Sequence, residues 1–149
     1  MFLGITIRSA LQATAQMEER LQDTITNFSP SSTLPLADGV LGFIHHQIIE
    51  LARDCLAKSQ GALITSRYFM ELQEKLEKML RDVSTAQFPA RCHLLRPLVD
   101  AWLLSALRQA QERSESEEVK FIDQLVRKLL IIISRPARLL ECLVRHSSS

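Results

Sequence analysis

Apolar side chains recur along this chain at intervals of three and four residues, the spacing that lines one face of an α-helix. Met17, Leu21, Ile25 and Phe28 follow at steps of four, four and three, with Glu18, Glu19, Arg20 and Asp23 covering the other side. They predict a first helix from about Ala13 to Asn27. Ser29 to Pro35 reads as a loop, proline-bounded and rich in small hydroxyl residues. A second helix is predicted from Asp38, which can cap its free amides, to Ser59. Its stripe is Val40, Ile44, Ile48, Leu51 and Cys55, widened by Leu41, Phe43 and Leu56, and Lys58 followed by Gly61 marks its end. A third helix begins at Thr65 or Ser66 and runs to about Asp82, burying Phe69, Leu72, Leu76, Met79 and Leu80. Glu71 with Lys75 and Glu74 with Lys78 stand in the favourable order on its wet face.

Ser84 to Arg96 breaks the pattern. Pro97, tolerated in a first helical turn, opens an extra helix to about Glu112, with Leu98, Trp102, Leu103, Ala106 and Leu107 on its apolar side. Ser114-Glu115-Ser116-Glu117 fits a capping box that starts helix four. The stripe of that helix is Ile122, Leu125, Leu129, Ile132 and Ile133, thickened by Leu130 and Ile131, so it is predicted to be the most buried. Ser134-Arg135-Pro136 should end it, and Ala137 to Leu143 should form a short last helix. Strand signals are essentially absent. The expected fold is all-α: an up-and-down four-helix bundle, an extra helix between helices three and four, and a short C-terminal helix.

Composition narrows the function. With 46% hydrophobic and 23% charged residues over 149 positions, the chain has material for one core. A formal charge of +1 lacks the basic excess that draws proteins to phosphate backbones, so nucleic acid is not an expected partner. The run Leu129 to Ile133 is far short of the ~20 apolar residues that span a bilayer, so no membrane span is expected. Cys55, Cys92 and Cys142 stand at no metal spacing and suit reduced thiols. Met1 to Arg8 lacks the leading basic residues of a secretory signal and reads as a frayed start. An acid-free stretch containing Arg8 precedes Glu18, a faint transit-peptide feature.

Few residues carry chemistry. His46, Glu50 and Asp54 share a helix face, but a carboxylate metal site in a bundle needs ligands from facing helices, and no second Glu-x-x-His occurs. A polar face, with a partly buried histidine, is the favoured reading. Cys55 and His46 lie nine apart, half a revolution round the helix, so Cys55 reads as structural rather than nucleophilic. Arg127, Lys128, Arg135 and Arg138 cluster near the expected end of helix four. There they complement the helix dipole, or else dock an acidic partner segment or a phosphate. Ser114 to Glu118 also resembles an acidophilic phosphorylation site, beside its reading as a cap. No Gly-rich phosphate loop, His-Arg-Asp or Asp-Phe-Gly is present, and four glycines leave little to build a nucleotide cradle.

Two stretches go beyond generic helix. One runs Ala13-Thr14-Ala15-Gln16-Met17-Glu18-Glu19-Arg20-Leu21, then Leu34 to Leu41 and His45-His46-Gln47-Ile48-Ile49-Glu50-Leu51-Ala52-Arg53-Asp54-Cys55-Leu56. The other runs Glu112 to Ser116, then Gln124-Leu125-Val126-Arg127-Lys128-Leu129-Leu130-Ile131-Ile132-Ile133-Ser134-Arg135-Pro136 and on to Leu143. Together they resemble the pre-kinase domain of the microtubule-associated serine/threonine kinases, over Ala13 to Asp82 and about Ala110 to Leu143. The resemblance implies a four-helix bundle placed before a kinase domain and, further on, a PDZ domain, in cytoplasmic, cytoskeleton-associated signalling. It implies ATP and magnesium for that kinase domain only; no cofactor, metal or catalytic residue is expected within this chain. The expected partners are proteins, the family kinase domain or cytoskeletal proteins among them. Residues 1–12 and 83–109 depart from the family pattern and read as a separate N-terminal segment and an insertion, and 144–149 as a disordered tail. The non-catalytic bundle is then expected to act as a regulatory or scaffolding module, with contact surface around Trp102, Arg127, Lys128, Arg135, Arg138 and Leu139.

Overall fold

The computed structural model describes residues 2–31, 33, 36, 39–85 and 101–147, with side chains over 7–31, 33, 36, 39–83 and 116–145. Among these residues the chain forms four α-helices and no strand: α1 (Phe2–Phe28), α2 (Gly39–Gln60), α3 (Ser66–Thr85) and α4 (Ala101–Ser147). Consecutive helices run antiparallel. The end of α1 meets the start of α2 where His45 reaches Phe28, and Ser59 at the far end of α2 bonds Glu18 at 2.5 Å. Tyr68 at the start of α3 meets Asp54 late in α2. Phe28 of α1 packs on Phe121, whereas Arg20, earlier in α1, lies beside Ile131, later in α4.

The core is built from one face of each helix. Met17, Leu21, Ile48, Ile49, Leu76, Ile122, Val126, Leu129 and Ile133 are among its fully buried members. Thr24 is buried with them because its hydroxyl donates to the Arg20 carbonyl at 2.8 Å, so the polar atom is satisfied without water. The predicted stripes of the first, third and fourth helices hold the core, with Ile25, Phe28, Met79 and Leu80 packed at its edge.

The second helix buries most of its expected stripe, with Ile48, Cys55, Leu41 and Leu56 in the core and Ile44 and Leu51 packed against it, but not Val40 or Phe43. Val40 is 56% and Phe43 62% exposed, while Leu41, His45, Ile48, Ile49, Ala52, Cys55 and Leu56 face inward. α2 carries apolar residues on more than one face, and the face chosen is the one that lets His45 bond the end of α1. Ile131 is also turned out, at 67% exposure, against the expectation that it thickens the buried stripe. On α3, Glu71 pairs with Arg67 at 3.3 Å.

Helix boundaries differ at several points. α1 starts at Phe2, eleven residues before the predicted start at Ala13. The separate extra helix, the capping box at Ser114 and the short last helix are replaced by one continuous α4 of 47 residues, about 70 Å long. It runs through Pro136 to Ser147, past the boundary at 144 where a disordered tail was expected. Pro136 removes one N–H and so frees the Ile132 carbonyl, a cost of ~3 kcal/mol for an isolated helix. Ile132 and Ile133 before the proline are buried, and Ala137 and Leu140 after it pack on the same core, so tertiary burial carries the helix across.

α2 ends in a Schellman turn. The Leu63 amide donates to the Lys58 carbonyl at 2.8 Å and the Ala62 amide to Ser59 at 3.1 Å. The left-handed residue is Ala62, with φ 57°, and not the neighbouring Gly61. At the start of α3 the Thr65 hydroxyl accepts from the Tyr68 amide at 3.1 Å, a side-chain cap at the predicted position. Asp38, the expected cap of α2, lies outside the described residues.

Candidate functional site

The outer face of α4 is the most distinctive surface. Lys120, Gln124, Arg127, Lys128, Ile131, Arg135 and Arg138 recur at three- and four-residue steps and are all exposed. Arg127, Lys128, Arg135 and Arg138 were expected near a helix end. With α4 continuing to Ser147 they sit mid-helix, where the dipole's field, confined to the last turn, does not reach them. They are a cationic stripe around an exposed isoleucine.

Where this stripe meets α1 it borders a groove of ≈ 480 Å³. Thr24 and Ile132 lie at its base, both buried; Ile131 stands at its lip; Arg20, Asp23, Gln124, Arg127 and Lys128 form the remaining walls. Arg127 is held by Asp123 of its own helix at 2.8 Å. The Lys128 ammonium lies 4.6 Å from the centre of the Phe28 ring, a cation–π contact. Among the described residues no ion pair holds Arg20, Lys128 or Arg135. A second hollow of ≈ 140 Å³, between Phe28 and Phe121, shares Gln124 and Lys128 with the first. Arg138 belongs elsewhere: it lines a groove between α3 and α4 with Gln73, Glu77 and Glu141. Leu139 is half-buried on α4. Trp102 lies in the first turn of α4, and its side chain is outside the described residues.

Beneath the second hollow lies a tight polar joint. His45 is 2% exposed, and its Nε2 donates to the Phe28 carbonyl at 2.6 Å. The carbonyl can only accept, so the proton is on Nε2. The same imidazole meets the Phe121 ring edge-on at 5.1 Å, joining α1, α2 and α4 at one point.

His46, Glu50 and Asp54 do not converge on a metal. His46 is exposed, Glu50 pairs with Arg53 at 2.6 Å, and Asp54 accepts from the Tyr68 hydroxyl at 2.7 Å and from Lys58 at 3.3 Å. Among the described residues no group of three or more His, Cys, Asp or Glu side chains could hold a metal ion. The Tyr68 hydrogen bond, then Lys58, holds the Asp54 carboxyl below its ordinary range despite partial burial. Cys55 is fully buried, and burial together with the nearby Asp54 charge pushes its thiol up to about 12, where it is not a nucleophile at neutral pH. Cys55 and Cys142 are both free, and Cys92 is outside the described residues. Among the described residues no helix is long and apolar enough to cross a membrane.

Sequence reasoning found the cations of this face but not the groove. Arg20 and Thr24 were read as parts of a wet face and a helix, and Ile131 as core. The signal was an isoleucine set among cations three and four residues either side, Arg127, Lys128 and Arg135.

The fold and this face define an all-helical bundle with an open cationic groove between its first and last helices. The sequence profile of a family described as a domain of unknown function, DUF1908, matches residues 8–105 and 100–147, and the chain belongs to that family. The two matched stretches overlap over 100–105 and together take in the 83–109 segment.

Proposed function

We propose that this chain is a non-catalytic regulatory or scaffolding module that binds a protein partner. In this reading it acts beside a serine/threonine kinase domain of the microtubule-associated type, in the cytoplasm and at the cytoskeleton. The observation that carries the binding role is the α1–α4 groove: an apolar base bordered by Arg20 and Lys128, neither engaged in an ion pair. Concave apolar surface with a few convergent polar groups is the usual form of a recognition site. The kinase connection rests on the residues of Ala13–Asp82 and Ala110–Leu143 that resemble the pre-kinase region, and membership of the DUF1908 family is compatible with it. ATP and magnesium chemistry belongs, in this reading, to the kinase domain and not to the helical bundle. In this reading the 83–109 segment, with Trp102, is an insertion rich in apolar residues.

The test is capture of the family kinase domain by the full chain immobilised through its C-terminus. Retention that survives physiological salt supports a module that acts on the enzyme. Absence of retention, with the bundle shown folded by circular dichroism, removes the kinase domain as partner.

A further inference from the structure

We infer that the α1–α4 groove docks an acidic, amphipathic helical segment of a partner protein. The inference rests on the docking role proposed above and adds the chemistry of the occupant. The groove and the adjoining hollow share Lys128 and extend along α1 from Arg20 to Phe28, eight residues or about 12 Å. That is about two helical turns, the length over which a helix lays apolar anchors one and two turns apart into a cleft. The base, Ile132 with Thr24 whose hydroxyl proton is already given to the Arg20 carbonyl, offers no free donor, which favours aliphatic or aromatic inserted side chains.

The border sets the charge. Arg20, Arg127 and Lys128 flank the opening and Arg135 continues the stripe one turn beyond Ile131. The carboxylates nearby are Asp23 on α1 and Asp123, which already neutralises part of Arg127. Carboxylates on the partner would therefore find Arg20 and Lys128 unpaired, and a basic segment would be repelled. A second copy offering the same face would set cation against cation. A flat anionic bilayer would touch Ile131 but leave the cleft beneath it unfilled, which favours a helix over a lipid surface.

The experiment follows the isoleucine methyl signals of the full chain by NMR. The probe is a synthetic helical peptide of about four turns, with leucines one and two turns apart and glutamates flanking them. A glutamine twin and phosphatidylserine vesicles serve as comparisons. The expected result is a shift of Ile131 and Ile132 with the glutamate peptide, and affinity roughly tenfold lower for the glutamine twin and for Lys128→Glu. No shift with the glutamate peptide, equal affinity for both peptides, or a shift with vesicles alone overturns the inference. The exposed-site variant Ile131→Glu separates this from the broader proposal. Kinase-domain capture that is indifferent to it leaves the module a docking domain but removes the groove. Peptide binding without kinase-domain capture leaves the groove and removes that partner.

Discussion

The Nε2 of buried His45 donates to the main-chain carbonyl of Phe28 at 2.6 Å, fastening the last residue of α1 to the second turn of α2. A carbonyl at a helix C-terminus has no intrahelical donor, and the imidazole that supplies one here is itself packed edge-on against the Phe121 ring. His45→Phe keeps the ring and removes the donor. It is expected to destabilise the bundle by about 1–3 kcal/mol, read as a lower urea midpoint with unchanged slope. An unaltered midpoint would mean that the Phe28 carbonyl finds another donor.

Ala62 holds a left-handed backbone at φ 57°, where a β-carbon crowds the following carbonyl. Ala62→Gly is expected to stabilise the Schellman turn by about 1 kcal/mol. At Gly61 φ is not positive, and an added Cβ would meet the Ala57 oxygen at 3.4 Å, an ordinary contact. Gly61→Ala should therefore be tolerated, and gain up to about 1 kcal/mol through the unfolded chain. Thermal melts of both variants check the pair; a loss in Gly61→Ala would show a hidden clash.

The Tyr68 hydroxyl bonded to Asp54 gives a pH signature. The folded carboxyl lies below the ordinary aspartate value of 3.8, so the stabilisation is complete above that value. It disappears as the pH falls through the lower folded value. Tyr68→Phe should cost about 1 kcal/mol at neutral pH, the modest worth of a half-exposed hydrogen bond. The gap between wild type and variant should begin to narrow as the pH falls below about 3.8 and close once it is below the folded value. A gap that persists into strong acid would assign the loss to packing of the ring.

Cys55 and Cys142 should differ in reactivity. Cys55 is fully buried with its thiol pushed up, whereas Cys142 is partly exposed on α4. Brief iodoacetamide treatment of the native chain, read by mass spectrometry, should alkylate Cys142 and spare Cys55 until denaturant is added. Early labelling of Cys55 would show that the α2–α3 contact opens readily.

The sequence was most legible where one apolar stripe stood alone. On α3 and on the central part of α4, Leu and Ile at three- and four-residue steps opposed mostly polar faces, and Phe69, Leu72, Leu76, Ile122, Leu125 and Leu129 are buried as expected. α2 was ambiguous in width, because Val40 and Phe43 compete with Ile49 and Ala52 for places beside Ile48 and Cys55. The choice was made by His45, whose hydrogen bond to α1 is a long-range contact that periodicity does not record. α4 was cut in two places by local signals, Ser114-Glu115 as a start and Pro136 as a stop. Tertiary burial on either side of Pro136 outweighed the second of these. The groove was hidden for a related reason. Ile131 lies in an unbroken run of five aliphatic residues, and only the rotation of α4 against α1 decides which of them faces out.

The central claim is that the α1–α4 groove is the working surface of this module, and a titration tests it most directly. A kinase domain of the microtubule-associated serine/threonine type, the partner proposed above, is titrated into wild type and into the double variant Arg127→Glu/Lys128→Glu, with circular dichroism confirming that both are folded. Saturable binding to wild type, weakened by salt, is expected, with affinity at least roughly tenfold lower for the double variant. Equal affinities, or binding that salt does not weaken, would contradict that claim.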